Sequence, residues 1–126
     1  MGFFSLHAAL GVLLITALAM NVSRVRIKER IGNGDGGNPL LKKAIRTHMN
    51  AIEHIVPFSV VLFALTQVQL STRYLAIFSI GFIFVRFLHS YSMLWSRFKL
   101  RQVAAGFTYL FEIVGCFTVL FKLATA

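Results

Sequence analysis

Phe3–Val22 reads FFSLHAALGVLLITALAMNV, and only Ser5, His7 and Thr16 interrupt it with polar atoms before Asn21. Twenty helical residues at about 1.5 Å each cover roughly 30 Å, the thickness of a bilayer's hydrocarbon core. The chain has 126 residues, is 57% hydrophobic and has a mean hydropathy of +0.75. A water-soluble domain of that size has no interior large enough to hide so much apolar surface. No basic residue precedes the stretch, and no small-x-small cleavage site leads into a soluble domain, so it reads as a permanent span rather than a secretory leader.

Outward from this segment, the helix is expected to continue past the membrane edge. There Arg24, Arg26, Lys28 and Arg30 can reach headgroups by snorkelling, giving a first helix over about 3–30. Gly32-Asn33-Gly34-Asp35-Gly36-Gly37-Asn38-Pro39 has too much glycine for regular structure. It lacks the Lys-Ser/Thr pair that closes a phosphate-binding P-loop. Pro39 suits the first turn of a second helix, predicted over about 40–68 and kinked at Pro57. A third helix is predicted over about 74–95 and a fourth over about 102–122, with Arg97, Lys99 and Arg101 in the turn between them. The expected fold is all-α, a single membrane domain formed by a bundle of four transmembrane helices.

The charge pattern excludes one class of partner and orients the chain. Net charge is +9, and seven of the thirteen basic residues lie between Arg24 and Arg46. They and the Arg97–Arg101 group sit between apolar spans, not beside a soluble recognition element, so nucleic acid is not the expected partner. The positive-inside rule puts both basic connections in the cytoplasm and both termini on the non-cytoplasmic side. The lone Cys116 cannot form an intrachain disulfide and reads as a small hydrophobe; no Cys/His spacing suggests a metal site.

Several polar residues fall where lipid would penalise them. Arg46, Asn50, Glu53 and Pro57 step by 4, 3 and 4 and share one helix face. Glu53 needs a partner or a proton; Arg46 and Arg86 are the expected partners, in a structural clamp or around a charged ligand. Arg86 and His89 share a face of helix three, and Arg86 must point into the bundle or a subunit interface. Tyr91 lies nearly opposite Arg86 on that helix. Arg97 and Arg101 either contact headgroups or stabilise an anionic group such as a thiolate at the membrane surface. Glu112, with no cation near it in sequence, reads as a side chain bonding across helices. Trp95 fits the aromatic belt of the interface.

Arg46-Thr-His48-Met-Asn50-Ala-Ile-Glu53-His-Ile-Val-Pro57-Phe resembles the signature of the MAPEG family, the membrane-associated proteins of eicosanoid and glutathione metabolism. The Gly-Asp-Gly-Gly-Asn-Pro loop is similar to that of bacterial members, and Arg86-x-x-His89-x-Tyr91 resembles their third helix. The resemblance implies a homotrimer in a bacterial inner membrane, with glutathione as co-substrate bound between subunits near the cytoplasmic side. It implies that Arg46, Asn50 and Glu53 contact glutathione or shape its site, and that Arg86 and Tyr91 line it from helix three; His89 and Arg97 are further candidate glutathione-binding residues. Arg101 resembles the arginine that stabilises the thiolate, to within one residue, the loop before it being shorter or shifted. Gln102 stands where some eicosanoid-making relatives have serine. Met93 occupies the position of their tyrosine, with Tyr91 two residues early, which weighs against a dedicated eicosanoid synthase. The implied activity is a glutathione transferase or peroxidase acting on hydrophobic electrophiles or lipid hydroperoxides that arrive through the bilayer. The alternatives are a non-enzymatic member of the same fold and a small proton-coupled multidrug transporter using Glu53 or Glu112.

Overall fold

The computed structural model describes residues 1–126 as four helices: α1 Gly2–Glu29, α2 Pro39–Gln67, α3 Thr72–Leu94 and α4 Phe98–Ala124. All four are long and apolar enough to cross a membrane. The chain is a multi-pass integral membrane protein, and its topology alternates so that the start of α2, the end of α3 and the start of α4 meet at one end.

Each connection has a local cause. α1 ends at Arg30, which takes the left-handed conformation at φ 58. Arg26 then braces the glycine-rich loop by donating to the carbonyls of Ile31 and Gly34. Asn38 caps α2 by accepting from the Leu41 amide at 3.0 Å, and Pro39 opens the first turn, where its missing N–H costs nothing. α4 begins at Phe98, four residues earlier than the charge pattern suggests. Trp95, Ser96 and Arg97 suffice to reverse the chain because Ser96 turns left-handed at φ 56. Lys99 and Arg101 therefore belong to the first turn of α4 and not to a loop.

The core lies among α1, α2 and α3. Phe58 and Phe82 stack at 3.9 Å with ring planes 8° apart, and Leu14, Leu18, Ile55 and Leu62 pack around them. His7 is fully buried against both rings. Ser59 donates its hydroxyl to the Ile55 carbonyl, so the His7 Nε2–H donates to Ser59 Oγ at 3.1 Å. α4 packs on α2 and α3 and does not touch α1. Only Ala104, Thr108 and Gly115 of α4 are buried, and most of its other residues are exposed on the outside of the bundle.

Close approach of α3 and α4 depends on Gly81. A Cβ there would stand 2.6 Å from Phe111 Cζ, inside van der Waals contact. Gly81→Val is expected to destabilise the bundle by about 1–3 kcal/mol, the usual cost of overpacking. Unfolding in mixed micelles measures this, and an unchanged midpoint would mean that α4 repacks freely.

Candidate functional site

The helix end where α2 and α4 begin is strongly cationic. A cleft of about 430 Å³ opens there, lined by Lys42, Lys43, Arg46, Ser92, Ser96 and Arg101 among others. That volume falls within the ~300–1,000 Å³ range of small-molecule sites. A smaller hollow of about 150 Å³, sharing Arg46, Met93 and Arg101 with the cleft, extends it to Asn50 and Glu53. Lys43 fixes one wall by donating from Nζ to Ser96 Oγ at 2.6 Å, which ties α2 to the α3–α4 turn.

Helix dipoles reinforce the side chains. Neither α2 nor α4 has an acidic residue in its first turn, and α4 has no side-chain cap. Their N-terminal ends are partially positive and normally attract carboxylates. Here they carry Lys42, Lys43 and Arg101 instead, so an incoming anion would satisfy both the dipoles and the cations.

Glu53 is exposed and has no salt-bridge partner within the chain. The expected pairing with Arg46 or Arg86 is not formed. Arg86 turns away from the cleft and is 1% exposed. Its Nη1 donates to Thr108 Oγ1 on α4 at 3.1 Å. Its Nη2 donates to Asn50 Oδ1 on α2, with the Asn50 carbonyl at 3.3 Å and His89 Nδ1 at 3.4 Å. Pro57 also lacks the N–H that would return to the Glu53 main-chain carbonyl four residues back.

One turn deeper, Glu112 does have a partner. Its Oε1 meets His54 Nδ1 at 2.5 Å, a hydrogen bond that becomes an ion pair when the imidazole is protonated. Asn50 and His54 are one turn apart on α2, as are Thr108 and Glu112 on α4. The two helices are thus joined by successive polar rungs, Asn50–Arg86–Thr108 and His54–Glu112.

Of the residues singled out from sequence, Arg46, Asn50, Glu53 and Arg101 come together around the connected cavities. Arg86 and His89 lie behind that wall as a buried brace. Tyr91 and Arg97 are exposed on a different surface, where Tyr91 stacks on Trp95 at 4.9 Å. Sequence reading passed over Lys42 and Lys43, whose spacing from Arg46 was the available signal. It also missed Thr108 and the pairing of His54 with Glu112, for which no local signal exists.

A model of the MAPEG family matches residues 4–121. The chain belongs to the MAPEG family. This MAPEG chain is 31% identical over 106 residues to the inner membrane protein YecN of Escherichia coli K12, across 83% of the chain and 80% of that protein. The YecN of Escherichia coli O6:H1 strain CFT073 matches to the same extent. The family match takes in most of all four helices, including the parts of α2, α3 and α4 that line the cationic cleft of this MAPEG protein.

Proposed function

We propose that the protein is a glutathione-dependent transferase or peroxidase of the inner membrane, working on hydrophobic electrophiles or lipid hydroperoxides. The observation that carries this reading is the cleft that brings Lys42, Lys43, Arg46 and Arg101 together at two helix N-termini, with unpaired Glu53 at its deep end. Glutathione has carboxylates for the cations and an ammonium for Glu53. Arg101, always protonated and rich in donors, sits at the junction of both cavities and stabilises the thiolate. The thiolate sulfur then attacks an electrophilic carbon and forms a C–S bond, while the carbon's leaving group departs with its bonding pair or, at an activated double bond, the π pair shifts to the neighbouring atom and takes up a proton. In the peroxidase case it attacks a peroxide oxygen, the O–O bond breaks, and the departing alkoxide takes up a proton; a second glutathione then reduces the sulfenic product to the disulfide and water.

Membership of the family supports glutathione as the thiol and a homotrimer as the assembly. The name of YecN supports the inner membrane. The basic ends of α1, α2 and α4 support a cytoplasmic cleft, with both termini on the other side. A reporter fused after Ala126 is expected to be active outside the cytoplasm, and activity inside it would reverse this orientation. The transporter reading finds less support, because Glu112 is engaged by His54 and Glu53 shares its cavity with arginines.

Calorimetry of glutathione binding to the purified protein in detergent tests the proposal. Saturable binding is expected, weakened about 10-fold by Arg46→Ala. Glu53→Gln is expected to weaken binding several-fold with no change in melting temperature, since Glu53 has no partner to lose. A melting temperature that falls while affinity holds would make Glu53 a clamp. No binding by folded protein at millimolar glutathione would favour a non-enzymatic member of the family.

A further inference from the structure

Tyr91 and Arg97 belong to a second surface, on the far side of the α3–α4 turn from the cleft. An open hollow of about 520 Å³ lies there, lined by Tyr91, Arg97, Phe98 and Lys99 among others, with no acidic residue. It shares only Ser96 and Phe98 with the cationic cleft. Neither Arg97 nor Lys99 has a salt-bridge partner. The stacked rings of Tyr91 and Trp95 form an aromatic ledge beside these cations, at the depth where a spanning helix leaves the hydrocarbon.

Below the ledge the same face of α3 continues downward. Ile80, Phe84, Phe87 and Tyr91 are spaced by 4, 3 and 4 and are all 44–64% exposed. The first three line an apolar groove of about 380 Å³ between α3 and α1. Eleven residues separate Tyr91 from Ile80, about 16 Å of helix. That is the depth of one leaflet, half of a hydrocarbon core of about 30 Å. Cations, interfacial aromatics and an apolar groove reaching the midplane therefore follow one another in the order of a phosphate, a glycerol backbone and an acyl chain.

We propose that this face of α3 is a binding site for an anionic phospholipid. The phosphate sits between Arg97 and Lys99, and an acyl chain runs from Tyr91 along Phe87 and Phe84 into the groove beside α1. An anionic lipid fits better than a zwitterionic one because the hollow offers two cations and no carboxylate for a headgroup ammonium.

Trp95, the only tryptophan, reports on the site directly. The protein is reconstituted in phosphatidylcholine vesicles containing graded amounts of acyl-brominated phosphatidylglycerol or acyl-brominated phosphatidylcholine, and quenching of Trp95 fluorescence is followed. Brominated phosphatidylglycerol should reach half-maximal quenching at a several-fold lower mole fraction. Arg97→Ala combined with Lys99→Ala should bring the two lipids to parity at unchanged helix content. Lys42→Ala combined with Lys43→Ala removes the same charge from the other surface and should keep the preference. The proposal is overturned by equal quenching in the native protein, by a preference that survives the Arg97/Lys99 changes, or by equal loss in both double variants. Shielding of Trp95 from both lipids would also overturn it, and would place a second copy of the chain on this face.

Discussion

Arg101→Ala is expected to remove turnover, by about 100-fold or more in kcat, while leaving most of the affinity for glutathione. The size of the effect follows from what the residue does. A preorganised donor aimed at developing negative charge is worth about 10²–10³ in rate. Ground-state binding, by contrast, is shared with Lys42, Lys43 and Arg46 around the same cleft. Arg101 lines both connected cavities and lies in the first turn of α4, where the helix dipole adds to its charge. Single-turnover kinetics with a hydrophobic electrophile, alongside calorimetry of glutathione, separates the two quantities. If affinity and turnover fall together, Arg101 is a binding residue. If neither changes, it has no part in the chemistry. Arg101→Lys should recover part of the rate, since charge is kept and the planar fork of donors is lost.

Arg86→Met is expected to cost about 2–4 kcal/mol of bundle stability in micelles. Interhelical hydrogen bonds in membranes contribute about 0.6–2 kcal/mol each, and Arg86 reaches α2 through Asn50 and α4 through Thr108. Methionine also leaves Asn50 Oδ1 without its donor. Resemblance to relatives gives Arg86 a place at the glutathione site, whereas its guanidinium is sealed inside the chain at 1% exposure. The expected outcome is that the variant loses glutathione affinity only in proportion to the fraction unfolded. Full stability with abolished binding would return Arg86 to direct contact with the ligand. Replacement of Thr108 by Val should show a smaller loss in the same direction, because only one of the acceptors disappears.

Much of the architecture is legible in residue order because membrane spans obey length and hydropathy, and those are local properties. The 4-3-4 spacing of Arg46, Asn50, Glu53 and Pro57 fixes a shared face on α2, and three of those residues do line one cavity wall. What spacing leaves open is how each helix is rotated against its neighbours. That rotation decides that Arg86 meets Asn50 and Thr108 instead of Glu53, and that Glu112 meets His54 across 58 residues of chain. The start of α4 differs from the expected one for another reason. A run of Arg97, Lys99 and Arg101 looks like a loop by charge, but a left-handed serine closes the turn in three residues, and the cations ride on the helix. The family resemblance groups Tyr91 and Arg97 with the cleft, whereas the short turn sends them to its other side.

The polar rungs between α2 and α4 also bear on how the chain is made. A charged side chain near the centre of an inserting helix carries a penalty of about 2.5–3.5 kcal/mol. When α3 enters the bilayer, Asn50 is already there to receive Arg86, and when α4 follows through the short turn, His54 is waiting for Glu112. Each costly group meets its partner from an earlier segment on arrival. A chain halted before Thr108 keeps a cation that only α2 can satisfy, so an unfinished copy differs chemically from a finished one at mid-membrane depth.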